Sequence, residues 1–452
     1  MVPRPTGLMP ALQLGHNCCQ AASSETPPGA DAGHVAPYDD AMSAINLYRG
    51  LFELLTTPPD GDAPALATGE GGRRELLSVA RMEDCLPELY ARWAAAGLLS
   101  PLESAEHEQL ARRRVAAAEV LQVLPRGSIV ADANAQQRGA STLEVLVADF
   151  AAIAPLHEAL GGLGYRHQGA GEWLVPLRGP MHRGFATFRY ARSSTAAGAV
   201  AIEVQAGGVA LDARRHVPFS EFAGQGPRVA GCACRSLEPT RELLHRIVRI
   251  GARSEQVTVR QIADLHLILK SAGARIDVAW LQRQVEKLQA WAGLRQIRDA
   301  IGAKRLGALL SWGEFGRLVE VGAAQAETSP SRDGGGGSRV GALVKSAFGL
   351  LESVRHDDIA AKLARTPWLV SRVLESGHRV CGVPVSTRPF DAPRFMRIDG
   401  ALYVATGAGL VLLSLVDLHA NARAALGERV RTGGRPTVLA RWTGGRVKAG
   451  TR

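Results

Sequence analysis

The chain has 452 residues, 46% of them hydrophobic, and a formal net charge of +10. That length supports two or three domains with a sizeable core. No apolar run is long enough to span a bilayer, and the N-terminal stretch lacks the sustained apolar segment of a secretory signal, so a cytoplasmic protein without a membrane partner is expected.

Residues 1–38 are rich in Pro, Gly, Ala, Ser and Thr, a composition that disfavours a packed core and predicts disorder. Helical periodicity occupies 39–125, notably "RRELLSVARMEDCLPELYARWAAAG" and "EHEQLARRRVAAAEVLQVL". Between 126 and 238 the pattern changes. "TLEVLVADF" reads as a strand and "IAPLHEALGGLGYRH" as a helix with a glycine stop. "GEWLVPL", "FATFRYA" and "AVAIEVQAG" read as strands separated by turns. Helical periodicity returns over 239–322, with Thr258 and Asp277 as N-cap residues. The Gly/Ser/Pro-rich "AAQAETSPSRDGGGGSR" at 323–339 reads as a flexible linker. After it, 340–422 predicts a small α+β module, in which "GLVLLSLV" is a buried strand or helix.

The charge is unevenly distributed. Residues from 331 onward carry 19 Lys/Arg against 9 Asp/Glu, while the first 330 carry 34 of each. A basic tail, 423–452, therefore offers itself to an acidic partner or nucleic acid, although a solvated tail gives the same pattern. The segment "IAAKLARTPWLVSRVL" (359–374) has the apolar spacing of a helix-turn-helix, with Ser371 and Arg372 on its second helix. An ordinary amphipathic helix pair reads identically. The six cysteines match no common zinc spacing and predict free thiols. His182, His216, His245 and His266 are scattered without metal-site spacing, and His266 reads as a packed core histidine.

One constellation suggests chemistry. Gly127-Ser128 is followed, after thirteen residues, by Thr142-Leu143-Glu144-Val145. Glu203 lies on a later predicted strand. Residues two apart on a strand share a face, so carboxylates on neighbouring strands can converge on divalent cations. Such cations bridge phosphate oxygens and activate an acceptor hydroxyl. A Gly-Ser bend lets backbone N–H groups approach phosphates.

In this order and spacing, residues 75–300 resemble the polymerase-beta-type nucleotidyltransferase superfamily, and more narrowly a bacterial family of uncharacterised nucleotidyltransferases. Arg126-Gly127 stands where that family has Lys-Gly. Arg138 stands for its arginine, "TLEVLV" for its acidic strand and "AIEVQ" for its later acidic strand. Asp264 and Trp280 occupy family-like positions. The resemblance implies an α/β nucleotidyltransferase-like mixed sheet flanked by helices, which transfers a nucleotidyl group, AMP among the candidates, from a nucleoside triphosphate to a hydroxyl-bearing or peptide acceptor. It implies Mg²⁺ or Mn²⁺ on Glu144 and Glu203, with Gly127, Ser128, Arg126 and Arg138 holding the nucleotide. Two departures count against transfer. Thr142 replaces the first Asp of the acidic pair, and Gln205 stands where a histidine is frequent. Asp149 is no substitute, because five residues past Glu144 it faces the other way. A pseudoenzyme that binds or regulates is the alternative reading, and DNA binding through 359–374 is another.

Overall fold

The computed structural model describes residues 38–57, 70–132, 141–175, 184–192, 200–210, 215–223, 226–252, 256–328, 367–391, 393–398, 401–415, 417–418 and 437–441. The chain divides into two compact units, Met1–Ser43 and Ala44–Arg452, and the sheet, its three hydrophobic cores and the cavities all belong to the second.

Four helices come first: α1 (Tyr38–Thr56), α2 (Glu70–Met82), α3 (Leu86–Ala95) and α4 (Pro101–Val123). The start of α4 is written in "SPLE". Ser100 Oγ accepts from Glu103 N at 3.4 Å, Glu103 Oε2 accepts from Ser100 N at 2.8 Å, and Pro101 takes the first helical position.

The sheet region follows with β1 (Ile129–Val130), β2 (Thr142–Val147), α5 (Ile153–Gly162), β3 (Tyr165–His167), β4 (Gly171–Leu174), β5 (Phe185–Arg192) and β6 (Ala201–Ala206). A two-stranded hairpin of β7 (Gly208–Ala210) and β8 (His216–Pro218) and the short β9 (Arg235–Ser236) complete it. Then come α6 (Pro239–Ala252), α7 (Val259–Ala272), α8 (Val278–Leu288), α9 (Trp291–Ala303) and α10 (Gly313–Thr328). Thr258 caps α7 by a reciprocal pair of bonds with Gln261, and Asp277 caps α8 by accepting from Trp280 N, as their side chains predict. Last are α11 (Pro367–Glu375), β10 (Val380–Ser386), β11 (Arg394–Ile398), β12 (Ala401–Thr406), β13 (Gly409–Ser414) and β14 (Thr437–Arg441).

The architecture is mixed α/β, with a large mixed sheet flanked by helices. Its strand order is β14-β11-β12-β13-β10-β4-β5-β6-β2-β1-β9, and β3 also pairs with β5. The pairs β2/β6 and β1/β9 are parallel and the others antiparallel. One face carries Ile129, Ala131 and Leu146 into a core shared with α1–α3 and α6–α10. The alternating residues Val130, Val145, Val147 and Val204 join a second core with α4, α5 and α11.

The C-terminal strands do not form a sheet of their own, which corrects the expected small α+β module. β10 pairs with β4 through Val380↔Trp173, Cys381↔Glu172 and Gly382↔Gly171. A strand edge left open beside β4 would present unpaired N–H and C=O groups, and β10 closes it. The first six residues of "GLVLLSLV" form the buried strand β13. Residues 323–328 of the expected linker belong to α10, while 329–339 lie outside the described residues. So do 1–37 and 359–366, the latter being the first part of the helix-turn-helix reading. Its second part is α11, which buries Val370, Val373 and Leu374 in the core and leaves Arg372 exposed. Most of the basic tail is likewise outside the described residues, which there include only β14. Among the described residues, no helix is long and apolar enough to cross a membrane.

Candidate functional site: an acidic strand pair closed by an arginine

Parallel pairing sets β2 against β6 with Thr142 opposite Ala201 and Glu144 opposite Glu203. The two glutamates are direct cross-strand neighbours and face the same side of the sheet. The same face carries Gln205, whose Nε2 donates to Glu203 Oε1 at 3.4 Å.

α6 lies over this pair. Its segment "PTRELLHRIVRIGA" buries Leu243, Leu244, Ile247 and Val248, and it projects Glu242, Arg246 and Arg249 at helical spacing along another stripe. Arg249 Nη2 meets Glu144 Oε1 at 2.7 Å, and its Nη1 meets Glu203 Oε1 at 2.8 Å. One planar guanidinium thus bridges both carboxylates, a geometry that the arginine fork suits. Arg189 Nε approaches Glu203 Oε2 at 3.9 Å from β5. One turn earlier, Arg246 binds Glu242 Oε1 at 2.9 Å, Asp264 Oδ2 at 3.0 Å and Asp132 Oδ2 at 3.3 Å. Asp264, a family-like position in the sequence, is therefore a partner of arginine.

Glu144, Asp132, Asp264, Arg246 and Arg249 line a cavity of about 230 Å³ together with Thr142, His245 and Arg260, while Glu203 lies outside its lining. Arg249 separates it from a smaller one of about 60 Å³ beside Gln205 and Val209. Burial opposes the charge of Arg249, but Glu144 and Glu203 outweigh it and hold the guanidinium above the ordinary arginine value. Arg246 is likewise opposed by burial and held up by Asp132, Asp264 and Glu242. Burial raises Glu242 even with Arg246 beside it. His245 is 3% exposed, and burial, followed by the charges of Arg249 and Arg246, pushes it down to about 3. Its imidazole is therefore neutral, with Nε2 3.6 Å from Glu144 Oε2 and without a hydrogen-bond partner.

The residues present do not fit the divalent cation that the resemblance implies. One oxygen of each glutamate is engaged by Arg249, and Thr142 brings no charge to replace it. A cation placed there would meet a buried guanidinium of like sign. Asp132 is already paired with Arg246. Among the described residues, no cluster of three or more His, Cys, Asp or Glu side chains is arranged to hold a metal ion.

The expected phosphate cradle lies elsewhere. Gly127 has φ +97° in a turn closed by Ser128 N donating to Pro125 O at 3.1 Å. β1 runs antiparallel to β2 with Ile129 opposite Leu146. The bend therefore enters the sheet at the Val147 end of β2, about 10 Å along the strand from Glu144. Ser128 is buried, Arg126 and Gly127 are exposed, and none of the three lines the cavity. The reason is topological: the antiparallel β1 carries the chain from the bend toward the acidic end, leaving the bend behind. Arg138 lies outside the described residues. Thr142 is exposed and lines the cavity beside Glu144.

The sequence reading brought Glu144 and Glu203 together and missed His245, Arg246 and Arg249. A signal existed in Glu242, Arg246 and Arg249, three of this helix's four charged residues, which fall on one stripe and need partners of opposite sign when buried. Compared with known proteins, this chain matches no family profile, no curated protein and no solved structure.

Proposed function

We propose that the chain is a nucleotidyltransferase-like protein that binds a ligand without transferring a nucleotidyl group. The observation that carries this reading is the Arg249 bridge across Glu144 and Glu203. The register of β2 and β6 supports the likeness to a nucleotidyltransferase, because it aligns two acidic side chains on adjacent strands. The bridge supports the loss of transfer. It supplies inside the chain the positive charge that a metal would bring, and a guanidinium has no open coordination position for phosphate oxygens or an acceptor hydroxyl. The cavity beside the bridge is the binding place, and a nucleoside triphosphate is the first ligand to test in it.

The test is incubation with labelled nucleoside triphosphates in the presence of Mg²⁺ or Mn²⁺. No label should transfer to protein, peptide or small-molecule acceptors. Calorimetry should detect no metal binding to the native chain, whereas the double variant Thr142→Asp, Arg249→Met should gain it. Label transfer that disappears in both Glu144→Ala and Glu203→Ala would restore the transferase reading.

A further inference from the structure

Three guanidiniums line the cavity of about 230 Å³, and each is held by carboxylates of the chain itself. Arg246 has Glu242, Asp264 and Asp132, Arg249 has Glu144 and Glu203, and Arg260 has Glu88. An anionic group would have to break these largely buried pairs to reach a guanidinium, and stranding one charge of such a pair is costly. A cation would meet Arg249 on the same carboxylates that attract it. Charge therefore selects neither sign of ligand, and what the lining offers instead is hydrogen bonds.

One of those bonds is unmade. His245 is 3% exposed and neutral, and its Nε2 has no hydrogen-bond partner. Glu144 Oε2 stands 3.6 Å from it, too far for a direct hydrogen bond. A buried polar atom in that state is rare and costly. One oxygen placed about 2.8 Å from both atoms closes the gap. With the Nε2–H tautomer of His245, a hydroxyl oxygen accepts from the imidazole and donates its own proton to the carboxylate, which takes more than one donor. A water molecule makes the same two bonds, so a ligand needs a second anchor beside the first. Thr142 supplies it: exposed, in the lining of the same cavity, and two residues from Glu144 on the same face of β2. That separation is about 7 Å of strand, within reach of two adjacent hydroxyls with one hydrogen bond at each end. Ala131 and Ile250, both buried, give the C–H face of a ring an apolar wall. The volume is below the range of about 300–1,000 Å³ of drug-sized sites, so one small ring fits and the rest of any nucleotide lies outside.

We infer that this cavity recognises a neutral vicinal diol on a small ring, with one hydroxyl between His245 Nε2 and Glu144 and its neighbour on Thr142. The inference rests on the reading of that cavity as a binding place and names the chemistry recognised there. Ribose carries such a diol, as a free sugar or within a nucleoside.

The test is ligand-observed saturation-transfer NMR on the full chain without divalent metal. The probes are methyl β-D-ribofuranoside, its 2-deoxy counterpart, adenosine and 2′-deoxyadenosine. The riboside or adenosine should bind, and loss of the 2-hydroxyl should weaken binding by about tenfold, the range of one hydrogen bond. Adenosine binding without the riboside would assign the diol to a nucleoside, and binding of both would admit the free sugar. His245→Phe, which keeps a buried ring and removes Nε2, should weaken the diol by about tenfold as well. Thr142→Phe, at an exposed position, should block the cavity and abolish binding. Thermal unfolding confirms that each variant is folded. The inference is overturned if neither diol binds, if the deoxy compounds bind equally well, or if binding survives Thr142→Phe unchanged. Label transfer in the Mg²⁺ assay would end the non-transfer reading and leave this inference standing. Triphosphate binding indifferent to the ribose 2′-hydroxyl would do the reverse.

Discussion

At the scale of single residues, burial decides the protonation of two histidines, one of which, His245, the sequence marks as unremarkable. His245 and His167 are both driven down to about 3, His245 by burial and then by Arg249 and Arg246, His167 by burial and then by His157. Each is neutral when folded and takes a proton below about pH 6.5 when unfolded, so the unfolded chain binds more protons between the two values. Their contribution to stability is full above about pH 6.5 and is lost as the pH falls toward 3. At pH 5 each histidine should cost about 2 kcal/mol relative to neutral pH. Urea unfolding near pH 7.5 and near pH 5 measures the difference. His167→Phe, which keeps an aromatic ring beside Phe188 and Tyr190, should shrink it by about one histidine's share, and an unchanged difference would count against the burial account.

At the scale of elements, the contacts of β4 with its two neighbours each depend on a glycine, Gly171 against β5 and Gly382 of β10 against Trp173. A Cβ on Gly171 would lie 1.8 Å from the Thr187 carbonyl oxygen, and one on Gly382 would lie 2.2 Å from the Trp173 indole. Backbone cannot rotate away as a side chain can. Gly171→Ala should therefore destabilise the protein by about 2 kcal/mol or more, toward the upper part of the overpacking range. Gly302 near the end of α9 has open space around its missing Cβ, so Gly302→Ala should be neutral or slightly stabilising. Chemical denaturation of the two variants makes the comparison, and equal effects would remove the close approach of Gly171 to the Thr187 carbonyl as the cause. The expectation of a separate C-terminal module failed on the pairing of β10 with β4. Strands were expected in this region, but a strand's pattern does not name its partner.

At the scale of the whole molecule, the helical side is joined through a buried ion pair. Lys304, just past α9, is 2% exposed and bonds Glu83 in the turn between α2 and α3. Glu83 also accepts from Val259 N at 2.6 Å at the start of α7, and Lys304 Nζ lies 4.5 Å from the Tyr48 ring centroid of α1. Removing one partner leaves the other charge buried. Lys304→Met should destabilise the protein by about 3–5 kcal/mol. Adding Glu83→Gln should recover part of that loss, because the stranded charge is gone. Strict additivity of the two changes in equilibrium unfolding would show that the residues are uncoupled.

How much was legible differs with the range of the interaction. Helices and strands of the central region follow from periodicities of 3.6 and 2, and the caps at Ser100, Thr258 and Asp277 satisfy N–H groups only three residues away. These are local interactions, and the amino-acid order alone determined them. The alignment of Glu144 with Glu203 was accessible as a face preference on each strand, though not as a register. What tertiary structure alone decided is what stands opposite those acids. Arg249 lies 105 positions from Glu144, and only the packing of α6 on the sheet brings them to 2.7 Å. The Gly127-Ser128 bend, close in sequence, was carried to the far end of β2 by antiparallel pairing. A carboxylate near a glycine bend suits a divalent metal, whereas a carboxylate held by a buried guanidinium does not. The difference is set by long-range Coulomb partners, which no local spacing encodes.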